Sequence, residues 1–214
     1  AMGGQMAAED AAPARIGVLQ QAFGADSRIH AAMDASCARL RHAGHTLVEN
    51  FAVDGIEDWL SGPHIVDIEF ATAFDAYLAE HFEPGTAPRN LRQLFESKQY
   101  LPDYTADLQR RMAADPQDAA AVLRRHAGMT RALRQAMKAA QVDAVLYPSL
   151  RIIPDSLDNP AGGWAAELAA RTGWPAITVP VLAPGALRPV GVELMLPSGA
   201  EARLFALARQ IESA

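Results

Sequence analysis

Apolar positions recur along this chain with two periods, and the alternation between them outlines its elements. The run RIGVL (15–19) is short, apolar and rich in β-branched residues, the mark of a buried strand. In the next segment Ile29, Met33, Cys37 and Leu40 recur at helical spacing. Asp26 or Ser27 can cap that helix and Gly44 can stop it. HTLVEN (45–50) follows as a second strand, so strand, helix and strand succeed one another with short joints, as in a parallel βαβ unit. From 61 to 85 the pattern is helical. Pro63 suits a first turn, Val66, Phe70, Phe74 and Tyr77 make one apolar ridge, and Pro84-Gly85 ends it. A short helix over 87–97 and two more over 103–114 and 117–141 come next, the last with Val122, His126, Met129, Leu133 and Met137 on one face.

VDAVLYPSL (142–150) predicts a strand running into a proline turn, and 160–173 a short helix closed by Gly173. AITVPVL (176–182) and PVGVELML (189–196) predict an antiparallel pair joined by APGALR. A final helix, 199–213, turns Leu204, Leu207, Ala208 and Ile211 inward. The expected fold is α/β: a mixed β-sheet of about five strands flanked by helices. We take 15–214 as a single domain and 1–14, which is small-residue-rich and featureless, as a flexible tail or a cloning scar.

Composition narrows the function classes. The net charge of -6, with two lysines, leaves no basic footprint for nucleic acid. No apolar run approaches the roughly 20 residues of a membrane span, and the N-terminus lacks the charged and apolar regions of a signal peptide. No membrane and no nucleic-acid partner is expected, and a cytoplasmic location is the default. The single cysteine excludes an internal disulfide.

Candidate chemistry is sparse. No G-x-G-x-x-G follows RIGVL, and no G-x-S-x-G occurs. His42 and His45 flank a helix end without a third ligand nearby and read as a solvated terminus. Cys37 lies on an apolar ridge and reads as a small buried hydrophobe rather than a nucleophile. No metal and no cofactor is expected. Ser149, at the C-terminal end of a strand, either faces a site or satisfies its own turn. Trp174 either lines a pocket or fills the gap above the sheet, and Trp164 reads as packing. Asp143, Asp155 and Asp158 have no spacing suited to paired acid-base work.

The last third resembles the amidase signature family, α/β hydrolases that cleave amide bonds. The residues that carry the resemblance are VDAVLYPS (142–149), RTGWPAITVPV (171–181), RPVGVELML (188–196) and EARLFALARQIE (201–212). They follow the family's order: a strand ending in a Thr-Pro-like turn, an Asn-x-Thr-Gly-x-Pro segment, a Pro-x-Gly-x-Gln strand, and a last helix opened by Glu. RIGVL, FDAYLAEHF (74–82) and NLRQLFES (90–97) fit earlier parts. The chain departs from the pattern at Ala170, where the family has Asn, at Glu193, where it has Gln, and at Tyr147, where a small residue or Thr is common.

The resemblance implies a nucleophilic Ser activated through a bridging Ser and a Lys, both serines lying in a Gly- and Ser-rich loop. This sequence contains no Ser-Ser pair, and neither Lys98 nor Lys138 lies in such a context. The expectation is therefore the C-terminal portion of an amidase-signature hydrolase, inactive alone, with no catalytic residue of its own. Tyr147, Pro148, Ser149 and Trp174 are the candidate substrate-binding residues. The substrate of the full enzyme would be a small-molecule amide, and the protein partner either the missing N-terminal half or a second copy in a homodimer. The alternative is a complete, non-catalytic ligand-binding or partner subunit derived from the same fold.

Overall fold

The computed structural model of the protein describes residues 12–153 and 167–212. It contains a five-stranded sheet in the order β2-β1-β3-β5-β4, with β1 Arg15–Val18, β2 Thr46–Val48, β3 Ala144–Pro148, β4 Ala176–Val181 and β5 Val190–Met195. β1 runs parallel to β2 and β3, whereas β5 is antiparallel to β3 and β4. The mixed α/β sheet is thus the one expected, including the parallel βαβ unit and the antiparallel β4–β5 pair.

The burial of β3 explains its composition. All five of its residues are buried, because helices cover both faces of a central strand. On one face Ala144, Leu146, Val192 and Leu194 pack with α1 (Ser27–His42) and α8 (Glu201–Glu212). Ile29, Met33, Cys37 and Leu40 of α1, and Leu204, Leu207 and Ile211 of α8, all turn inward. The opposite face gathers Val145, Tyr147 and Met195 beneath α6 (Ala119–Ala140), which contributes Met129, Leu133 and Met137, and beneath Trp174. Gly17 lies under Phe51 on this face. A Cβ there would stand 2.6 Å from Phe51 Cγ, so the ring rests directly on the strand.

α1 is opened by Asp26, whose carboxylate accepts from the Arg28 N–H at 3.0 Å. The Arg28 side chain bonds the same carboxylate and holds it down at about 2. His45 departs from the solvated terminus expected of it. It is buried, its Nδ1 accepts from the Ala14 N–H at 3.0 Å, and Nε2 faces Gln210 Oε1. Its ring joins the start of β1 to α8.

The chain divides into two compact units, residues 1–60 with 129–214 and residues 61–128. The first holds the sheet and also α2 (Ile56–Ser61) as far as Leu60, a helix too short to show periodicity. The second holds α3 (Ile65–His81), α4 (Leu91–Ser97) and α5 (Thr105–Ala113). In α3 the ridge residues Phe70 and Phe74 do stack, 5.4 Å between centroids, and the Arg111 guanidinium lies over Phe70. The buried residues of that helix, however, are Ile68 and Leu78, not the ridge. Apolar residues run nearly all round α3, so periodicity could not select its inner face.

Candidate functional site

The RTGWP stretch is built by a helix end. α7 (Glu167–Thr172) closes at Gly173, whose φ of 67° is the left-handed value that ends a helix, and whose N–H returns to the Ala169 carbonyl at 2.9 Å. Thr172 Oγ1 donates to the Leu168 carbonyl at 2.8 Å and accepts from the Trp174 N–H at 3.4 Å. That turn drops Trp174 onto the sheet, where it is buried, with the Arg134 guanidinium 5.0 Å from its ring centre. Arg171 is likewise buried and holds Glu167 through Nε at 3.0 Å and Nη2 at 2.7 Å.

Tyr147, Glu193 and Thr178 occupy directly opposed positions on β3, β5 and β4. All three therefore project from the same face, the one that carries Trp174. Tyr147 is fully buried. Its hydroxyl donates to Glu193 Oε1 at 2.5 Å and lies 3.8 Å from Met195 Sδ. Thr178 Oγ1 donates to Glu193 Oε2 at 3.2 Å. Ser149 Oγ donates in turn to Thr178 Oγ1 at 3.3 Å, and the Ser149 N–H meets the Gly191 carbonyl at 2.9 Å. A polar strip thus leads from the core to the half-buried Ser149 and the exposed Thr178. Burial, and after it the Glu193 carboxylate, push the Tyr147 phenol well above its ordinary value of 10.

Of the four expected substrate-binding residues, Tyr147 and Trp174 share one buried apolar cluster. Ser149 continues the face of Tyr147, and Pro148 projects to the other side at its pairing with Val192. Glu193 and Thr178 complete the strip. Their signal in the sequence is a lone carboxylate in the apolar strand PVGVELML, opposite a hydroxyl on the neighbouring strand, and only the register joins them. Trp164, Asp155 and Asp158 lie outside the described residues. Asp143 accepts from the Arg15 N–H at 2.9 Å and pairs with Arg203, a structural use.

Two cavities lie elsewhere. One, about 630 Å³, is lined by Arg28, Ile153, Leu187 and Arg188 among others, and the other, about 320 Å³, by His30, Asp34, Cys37 and Glu49 among others. Burial pushes the Cys37 thiol up to about 11. It is therefore a thiol, not a thiolate, at neutral pH, and alkylating reagents are expected to modify it at a measurable rate only once the chain unfolds. Mass spectrometry after iodoacetamide treatment at pH 8, with and without denaturant, checks this. Rapid native labelling would contradict it. Among the described residues no group of three or more His, Cys, Asp or Glu could hold a metal ion, and no helix is long and apolar enough to cross a membrane.

No family model matches the sequence, and no curated protein does. Solved structures do. The X-ray structure of native peptide amidase from Stenotrophomonas maltophilia superposes with a TM-score of 0.76 at 22% identity, over 97% of this chain. The fold is that of amidase-signature enzymes. A bacterial aryl acylamidase of the amidase signature family matches over 97% of this chain at 14% identity, TM-score 0.67, and an amidase family protein from Bacillus anthracis str. Ames over 97% at 15%, TM-score 0.69. This chain spans 44%, 44% and 40% of those three amidase-type chains respectively. A coverage under one half is consistent with the C-terminal half of an amidase-signature chain.

Proposed function

We propose that this chain is the C-terminal portion of an amidase-signature hydrolase, and that by itself it does not hydrolyse amides. The observation that carries the reading is the unequal coverage: nearly all of this chain superposes on less than half of a peptide amidase. Two features of the sequence support it. There is no Ser-Ser pair, and the only lysines lie where they serve helices. Lys98 ends α4 with a φ of 58° and its Nζ lies over the Phe95 ring, and Lys138 lies within α6. Neither is placed beside a serine pair that could make a nucleophile.

The sheet supports the same reading. Among the described residues β4 is paired on one side only, by β5. An unpaired strand edge is a template for further strands. In the assembled enzyme this portion would contribute the β3, β4 and β5 wall, with Ser149 and Thr178 at its rim and Trp174 and Tyr147 behind, while the other portion supplies the nucleophile and the oxyanion donors. The substrate would be a small-molecule amide.

The test is hydrolysis of simple amides and peptide amides by the purified chain, set beside the same assay after the counterpart portion of an amidase is added. No turnover by the chain alone, with turnover restored on addition, is the expected result. Turnover by the chain alone that survives repurification would overturn the reading.

A further inference from the structure

Resting on that reading of the strip as part of a substrate wall, we propose that Glu193 sets the hydrogen-bonding polarity of Ser149. The Ser149 hydroxyl is thereby held as an acceptor for an amide N–H of the ligand. The argument is a count of protons. A carboxylate can only accept, so both groups that touch it must donate. Tyr147 gives its proton to Oε1 at 2.5 Å and Thr178 gives its proton to Oε2 at 3.2 Å. Thr178 then has no proton left and can meet Ser149 only as an acceptor, so Ser149 Oγ must donate inward at 3.3 Å. Each hydroxyl proton of the strip therefore points toward Glu193, and Ser149 Oγ presents lone pairs outward. Gly191 makes room for this arrangement. A Cβ there would stand 2.9 Å from both Ser149 Oγ and Thr178 Cγ2 and would drive the two hydroxyls apart.

Glutamine, the residue that the family pattern carries at this position, lifts the constraint, because its amide can donate as well as accept. Its carbonyl oxygen would keep the Tyr147 proton while its amide Nε2 donated to Thr178 Oγ1. Thr178 would then be free to donate to Ser149, whose own proton would turn outward. Glu193 is thus a positioning residue. It acts through Thr178 on Ser149, and it selects ligands with an N–H over ligands with acceptors alone.

The experiment is a titration of the isotope-labelled chain, following the backbone amide signals of Ser149, Thr178 and Gly191. The probes are butyramide, N-methylbutyramide and N,N-dimethylbutyramide. The first two carry an N–H and the third does not, and the second carries part of the added bulk. The native chain is expected to bind the first two about two- to tenfold more tightly than the third, the range that one neutral hydrogen bond confers. Glu193→Gln should erase or reverse that preference. Thr178→Val, which cuts the relay and leaves the carboxylate in place, should bring it to unity, and keeps the test standing should Glu193→Gln not fold.

Equal binding of all three amides by the native chain, or a preference that neither substitution changes, would overturn the relay and leave the amidase reading untouched. If no amide shifts these signals, Ser149 presents no acceptor to a ligand in this chain and the relay is overturned, while the amidase reading is decided separately by the hydrolysis assay with the counterpart portion added.

Discussion

Replacing Tyr147 with phenylalanine is expected to destabilise the protein by about 1.5–3 kcal/mol, the range for a hydrogen bond to a charged group. The ring itself would still fit, because Tyr147 is fully buried and phenylalanine fills nearly the same volume. What is lost is a donor to the buried Glu193 carboxylate, leaving Thr178 as its one hydroxyl partner among the described residues. The substitution should also flatten the alkaline limb of the stability curve. In the folded chain the phenol is held protonated well above 10, whereas in the unfolded chain it ionises near that value. The stabilisation is therefore complete below pH 10 and lost as pH rises beyond it. Urea melts of both proteins between pH 7 and pH 11 measure the two effects together. A variant as stable as the native chain at pH 7 would show that the Tyr147–Glu193 bond contributes nothing net.

Gly24→Ala is the second substitution with a large expected effect. An alanine Cβ would fall 2.0 Å from the Arg151 carbonyl oxygen and 2.9 Å from its carbonyl carbon. Both are backbone atoms and cannot rotate away, so the segment after β3 must move. The expected cost is about 1–3 kcal/mol, as for other overpacking changes. The movement would also loosen the Arg151 side chain, which reaches the Gln21 carbonyl at 2.6 Å and Glu57 at 2.5 Å. Denaturant melts measure the cost, and Glu57→Gln in the native and variant backgrounds measures the coupling. A stability change within about 0.5 kcal/mol, the level of an ordinary surface substitution, would show that the two segments separate freely.

Much of the first unit is legible in the sequence because its elements are strongly one-sided. The α1 stripe alternates with charged residues, so spacing alone assigns Ile29, Met33, Cys37 and Leu40 to the core. The β3 run is apolar throughout because it is covered on both faces. α3 is legible as a helix but not in its orientation, since nearly every side of it is apolar. α2 leaves no such trace, because its six residues give less than two turns of pattern. The polar strip is half legible. Tyr147 and Ser149 stand out at the end of a strand, but Glu193 lies 46 residues beyond Tyr147 and 15 beyond Thr178. What unites them is strand register, a tertiary property that no local spacing encodes.

The position of β1 bears on how the chain reaches this sheet. The strand precedes both of its sheet neighbours, β2 and β3, along the chain, yet it lies between them. The contact of Ala14 with His45 spans 31 residues, and that of Arg15 with Asp143 spans 128. Closing the second contact costs more chain entropy than the first, though only by a logarithm of the length. During synthesis β1 can hold β2 early, but its other edge stays open until the helices of 61–128 and α6 have emerged. The β3–β5–β4 block, whose contacts are closer in sequence, can assemble as a separate nucleus. The slow step in folding should then be the docking of the earlier β1–β2 half-sheet, with α1, onto the later β3–β5–β4 block and α8, with β1 meeting β3.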